Sequence, residues 1–259
     1  MTSVEGARIH FEVTGAGPAV VLTTGQGTGP EAREELIDGL ARRFTVLSYD
    51  QRGTGRSERT VQGQSIEALS EDVIALMDAA GIRSAHILGL STGTGKATAL
   101  AARHPERVTR LVLAAPWTHG DPYLHTLQNL RKAAARTLPP DHYVQFNALL
   151  IYPPEFRRAH AGRFEQMART ALDAPQDASG IAARLDSILA FDARLHYPSI
   201  ACPTLVMAAR NDEVMPFWFA DDAARAIRSA RLVLLDGGGH LFPETRTQEF
   251  LGHVLDFLL

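Results

Sequence analysis

The sequence predicts an α/β fold: a mostly parallel sheet, doubly covered by helices, with a helical segment inserted late. Three observations predict it. Short continuous runs of aliphatic and β-branched residues, such as Ala19-Val20-Val21-Leu22-Thr23, recur along the 259 residues and suit strands buried on both faces. The segments between them carry apolar residues at helical spacing. From Trp117 to about Leu195 no convincing strand occurs, and the stretch is rich in Ala, Arg, Leu and aromatics, with turn signals at Pro139-Pro140 and Pro153-Pro154.

The elements follow in order. Ala7 to Val13 alternates and reads as an edge strand. Ala19 to Thr23 is the first buried strand and runs into Gly25 and Gly27. Glu31 to Arg42 is a helix with Leu36 and Leu40 on one face, and Phe44 to Tyr49 is the next strand. Ser65 caps a helix in which Ile66, Leu69, Val73 and Met77 recur at helical spacing, and Gly81 closes it. Ala85 to Leu90 is a strand, Thr92 to Arg103 a helix and Leu111 to Ala115 a strand. After the insertion, Thr204 to Ala208 and Arg231 to Leu235 return to strand, and Gln248 to Leu259 is a closing amphipathic helix. Strand–helix alternation implies right-handed crossovers and a site at the carboxyl ends of the strands.

Composition narrows the function. A net charge of -3 leaves no broad basic face for nucleic acid. The single cysteine, Cys202, rules out an internal disulfide framework and fits a reducing compartment. No apolar run reaches the ~20 residues needed to span a bilayer, and no secretory signal is visible, so a cytoplasmic location is expected.

Gly89-Leu90-Ser91-Thr92-Gly93 matches the G-x-S-x-G turn between a strand and a helix, where small neighbours keep a strained serine accessible. A serine hydroxyl needs a base. Among ten histidines, His240 stands out because it follows a strand and the turn Asp236-Gly237-Gly238-Gly239, which lets the imidazole fold back over the sheet edge. A third group must hold that imidazole. Asp212, after the strand Thr204 to Ala208, is the candidate, with Glu213 and Asp121 as rivals. The order Ser91, Asp212, His240 belongs to one fold among the several that use this chemistry. An acyl oxyanion needs two donors, for which the backbone amides of Thr92 and Gln26 are the candidates. Lys96, five positions after Ser91, lies about 140° round a helix from it and is not assigned a catalytic role.

With these pieces in this order the chain resembles the α/β-hydrolase superfamily over essentially its whole length. The resemblance is carried by Thr24-Gly25-Gln26-Gly27, Asp50-Gln51-Arg52-Gly53-Thr54-Gly55-Arg56-Ser57, the turn at Ser91, Asp212 with Pro216, and Gly239-His240. Tyr49 to Gly55 and Leu150-Ile151-Tyr152-Pro153 look like the aminoacrylate hydrolase branch of bacterial pyrimidine degradation; enol-lactonases and small carboxylesterases are similar too. Thr24 and Leu90 depart from the pattern, since many members carry histidine there. The resemblance implies an α/β-hydrolase fold with a helical cap after the sixth strand. Residues 1–116 and 197–259 would then form the core and 117–196 the cap.

The expected activity is cofactor-independent hydrolysis of a small ester, lactone or related acyl compound through an acyl-enzyme. Two alternatives stay open: the same triad used for elimination, C–C cleavage or decarboxylation, and a ligand receptor on a hydrolase fold. Trp117, Tyr152, Leu241 and Phe242 are the candidate substrate contacts, and Arg157, Arg158 and Arg163 suit solvated helix faces. No metal site is expected, because neither H-E-x-x-H nor a Cys/His zinc spacing occurs, and no nicotinamide fingerprint follows a strand. The expected partners are a small-molecule substrate and, at most, a second copy of the chain for a homodimer.

Overall fold

The computed structural model describes residues 2–4, 7–25, 31–60, 62–173 and 175–259. A two-stranded antiparallel hairpin, β1 (Thr2–Val4) and β2 (Ala7–Ile9), precedes the main sheet. That sheet has seven strands: β3 (Phe11–Thr14), β4 (Ala19–Thr23), β5 (Thr45–Tyr49), β6 (Ala85–Leu90), β7 (Val108–Ala114), β8 (Thr204–Ala209) and β9 (Ala230–Leu235). Their spatial order is β3-β5-β4-β6-β7-β8-β9. Only the edge strand β3 runs antiparallel; every other pairing is parallel.

The central strands lie where the apolar runs predict, and for the predicted reason. Val20, Val21, Leu22, Ile87, Leu88, Leu111, Val112, Leu113, Leu205 and Val206 are fully buried. Each such Val, Leu or Ile contributes about 1.5–3 kcal/mol of transfer free energy before conformational entropy is charged against it. Helices α1 (Glu31–Ala41), α2 (Ile66–Ala79) and α3 (Thr92–Arg103) fall between these strands. Ser65 caps α2 by accepting from the Ala68 amide, and Gly81 takes a left-handed conformation behind it.

The strandless stretch is helical: α4 (Pro122–Thr137), α5 (Pro140–Ile151), α6 (Pro154–Ala159), α7 (Ala161–Ala171) and α8 (Ala178–Ala190). Helices α9 (Phe217–Ala226), α10 (Phe242–Thr245) and α11 (Thr247–Leu258) complete the described chain. Among the described residues no helix is long and apolar enough to cross a membrane.

One expected strand divides. Ala7 to Val13 becomes β2 in the hairpin and β3 in the main sheet. Between them His10 donates its amide to Ser57 Oγ and accepts from the Asp50 amide. The helical insertion follows β7, the fifth main-sheet strand along the chain, which agrees with the five strands read from the residues before Trp117; the count of six came with the family resemblance.

The parallel strands all point their carboxyl ends to one side. The turns leaving β4, β6, β8 and β9 on that side carry Gly25, Ser91, Asp212 and His240, and the insertion leaves from the same side after β7.

Candidate active site

Ser91 joins β6 directly to α3 and holds φ 53 and ψ -123, a conformation L-residues rarely adopt. Its surroundings enforce that geometry. The Ser91 amide donates to the Ala114 carbonyl at 2.8 Å. Its own carbonyl accepts from the Thr94 amide at 2.8 Å and from Thr94 Oγ1 at 2.6 Å. The flanking glycines are required by close approach: a Cβ on Gly93 would sit 1.9 Å from the Thr23 carbonyl oxygen. A Cβ on Gly25 would sit 2.9 Å from Ser91 Cβ, so the chain leaving β4 passes directly over the serine.

His240 arrives from the opposite edge. Gly238 and Gly239, at φ 112 and 65, turn the chain back after β9. His240 Nε2 lies 2.7 Å from Ser91 Oγ, and Nδ1 lies 2.9 Å from Asp212 Oδ2. The other Asp212 oxygen accepts from the Val214 and Met215 amides at 2.8 and 2.9 Å. A carboxylate so engaged can only accept at Nδ1, which assigns the Nδ1–H tautomer and leaves Nε2 free to take the serine proton. The Asp212 side chain is fully buried and His240 nearly so.

Neither rival acid is placed on His240: Asp121 caps α4 by accepting from the Leu124 amide, and Glu213 is exposed, with its backbone carbonyl accepting from the Tyr123 hydroxyl. Thr92 opens α3 and borders the cavity beside Ser91, with its amide in the first turn, where no helical carbonyl is available. Gln26, the other expected amide donor, lies outside the described residues. Among the described residues no group of three or more His, Cys, Asp or Glu side chains is set to hold a metal ion.

Above Ser91 and His240 the insertion encloses a cavity of about 370 Å³. Tyr152 and Leu241 line it, as expected. Trp117 and Phe242 do not. Trp117 is buried beneath the insertion, with Nε1 donating to the Ile188 carbonyl and its ring against Phe191. Phe242 packs edge-on to Phe250 in the core. Each is a large apolar ring just past a strand or turn, and burial against the helices claims it before the cavity does.

The sequence reading missed the charges of the cavity wall. Arg131 of α4, Arg163 of α7, which was expected on a solvated helix face, and Arg184 of α8 all line it, and among the described residues no Asp or Glu does. Arg163 is neutralised by Glu244, which also accepts from the Tyr152 hydroxyl at 2.9 Å. Arg184 has Asp177 at 3.8 Å. Among the described residues Arg131 has no acid partner and donates to neutral oxygens, Asn147 Oδ1 at 3.0 Å and Gln128 Oε1 at 3.1 Å. Burial pulls the pKa of Arg131 and of Arg184 below the ordinary guanidinium value. The apolar periodicity of α4 could have placed Arg131 near the buried face, but not opposite Ser91.

The insertion is also tied to the turn that carries His240. The His240 amide donates to the Ile151 carbonyl at 3.1 Å, and a Cβ on Gly239 would meet Pro153 at 2.9 Å.

Comparison with known proteins gives three findings. The family model of the alpha/beta hydrolase fold matches residues 18–247. A RutD protein of Azorhizobium caulinodans, named as a carbamate hydrolase, is 31% identical over 251 residues, covering 97% of this chain and 95% of its own. An enol-lactonase structure from Burkholderia xenovorans LB400 superposes with a TM-score of 0.88 at 30% identity, covering 99% of this chain and 98% of its own. A hydrolase structure from Pseudomonas aeruginosa PA01 gives 0.88 at 31% identity, covering 100% and 97%.

Proposed function

The chain belongs to the alpha/beta hydrolase fold family, and on that premise we propose that it is a cofactor-independent serine hydrolase acting on a small acyl compound. The observation that carries this reading is the continuous relay from Ser91 Oγ through His240 to Asp212, at 2.7 and 2.9 Å. In this mechanism His240 Nε2 takes the Ser91 proton as Oγ attacks the acyl carbon. Asp212 keeps the imidazole in its tautomer and balances the imidazolium. The Thr92 amide, with that of Gln26, receives the oxyanion. His240 then protonates the leaving group, an acyl-enzyme remains on Ser91, and a water deprotonated by His240 releases the acid.

A fluorophosphonate probe tests the assignment without knowledge of the substrate. Intact mass should rise by one adduct in the wild type and by none in Ser91→Ala. Labelling that survives the substitution, or none in the wild type, would refute the reading.

The cavity charges suggest which acyl compounds fit. Arg131, with no acid partner among the described residues and set in a poorly solvated wall, favours an anionic ligand group, so the substrate would carry a carboxylate or carbamate besides its scissile bond. The names of the relatives, a carbamate hydrolase and an enol-lactonase, accord with a small acyl substrate. Arg131→Met should raise KM for a carboxylate-bearing ester about 10- to 100-fold, the worth of a charged hydrogen bond. The matched neutral ester should be unaffected or bind better. Equal losses on both esters would show that Arg131 serves the fold and not the substrate.

A further inference from the structure

Lys96 is fully buried in α3. Its Nζ donates to the Thr24 carbonyl at 2.9 Å and to Gln51 Oε1 at 2.9 Å, and lies 5.4 Å from the centre of the Tyr49 ring. An ammonium taken out of water is costly, and among the described residues no acid pairs with this one. The contacts show what is gained. Thr24 and Gly25 are the described residues of the loop leaving β4, and Gly25 lies against Ser91. One turn of α3 thus presents Ser91 to the cavity, and the next reaches round underneath to hold the loop that passes over it. The grip is braced further out: Gln51 Nε2 donates to Gln64 Oε1, and Gln64 Nε2 donates to the Arg52 and Thr60 carbonyls.

We propose that Lys96 is a positioning residue for the oxyanion side of the site. It grips the Thr24 carbonyl and sets a positive charge behind the loop over Ser91, where the acyl oxygen becomes an anion. The inference rests on the serine-hydrolase reading above. Fixing the Thr24 peptide fixes the approach of Gly25 to Ser91. The charge acts through a dry interior, where its field is weakly screened.

The charged surroundings make this contribution pH-dependent. Burial pulls the Lys96 pKa down to about 7. Asp72 of α2 favours the cation but is itself engaged by Arg52, and Arg33 of α1 opposes it. Arg33 is in turn held by Asp50, and Tyr49 of β5 faces Nζ as a neutral phenol, since burial raises its pKa. A neutral amine keeps two N–H donors, so both hydrogen bonds survive deprotonation. What is lost as pH rises through about 7 is the charge behind the oxyanion.

The test measures kcat and KM for p-nitrophenyl acetate across pH, with the rate of fluorophosphonate labelling of Ser91 alongside. In the wild type kcat should decline as pH rises through about 7. Lys96→Met should lower the best kcat at least about tenfold, less than loss of a direct oxyanion donor, with KM within about twofold, and should abolish the alkaline decline. Gln51→Glu places a carboxylate beside Nζ, raises the lysine pKa and should move the decline to higher pH. Wild-type kcat in Lys96→Met, or a wild-type profile with no alkaline decline, overturns the proposal. Should Lys96→Met fail to fold, an unmoved decline in Gln51→Glu overturns it alone. A wild type that the probe does not label refutes the hydrolase reading instead, so the two failures are told apart.

Discussion

Ser91→Ala is expected to lower kcat for p-nitrophenyl acetate about a million-fold, leaving only what binding and the oxyanion amides supply, because serine and base act as one unit. The structure gives the reason. Ser91 Oγ has the His240 imidazole at 2.7 Å, and without the oxygen that imidazole has no nucleophile to activate. The methyl of alanine suits the same backbone, and the turn is held by main-chain bonds to Ala114 and Thr94 that the substitution leaves in place. The fold should therefore persist, which circular dichroism and thermal melting can check. His240→Ala should cost about as much, and the double variant no more than either single one. Losses that multiply in the double variant would show that the two residues act separately and would remove the relay from the mechanism.

Asp212→Asn is expected to lower kcat about 10⁴-fold with KM little changed, as a mis-set histidine tautomer does in other triads. Here the amide orientation is dictated. The Val214 and Met215 amides both donate to one Asp212 oxygen, so the asparagine oxygen must stay with them. Its NH₂ then faces His240 Nδ1 and donates, which forces the ring proton onto Nε2. A protonated Nε2 cannot accept from Ser91. Asp121→Asn and Glu213→Gln should cost far less, since the Asp121 carboxylate caps α4 and Glu213 is used through its carbonyl. If Asp121→Asn were the damaging change, the acid would belong to the turn after β7 and the Asp212 assignment would fall.

The sheet was legible where burial on both faces left little choice of side chain. β4, β8 and the 87–90 and 111–114 stretches of β6 and β7 are continuous runs with few or no charged or polar residues, and they are buried on both faces. β2 and β3 were merged because alternation reports which face is buried and says nothing about which neighbour a strand pairs with. Ser91, His240 and Asp212 were legible because each follows a strand, and two of them adjoin glycines demanded by turns or close approach. Trp117 and Phe242 were misplaced because an aromatic past a strand or turn can serve the core or the cavity, and only packing decides. Arg131 and Lys96 could not be placed from local sequence alone: Arg131 faces a cavity lined by several separate elements, and the Thr24 carbonyl that Lys96 holds lies 72 positions earlier in the chain. Sequence spacing did correctly turn Lys96 away from Ser91 along the helix; it could not reveal the Thr24 carbonyl waiting on that other side.

The bond from the His240 amide to the Ile151 carbonyl, with Tyr152 and Arg163 gripping Glu244, couples roof and base mechanically. Displacing the 151–153 segment would break the bond to the His240 amide, so the placement of the roof and the aim of the imidazole are set by the same few contacts.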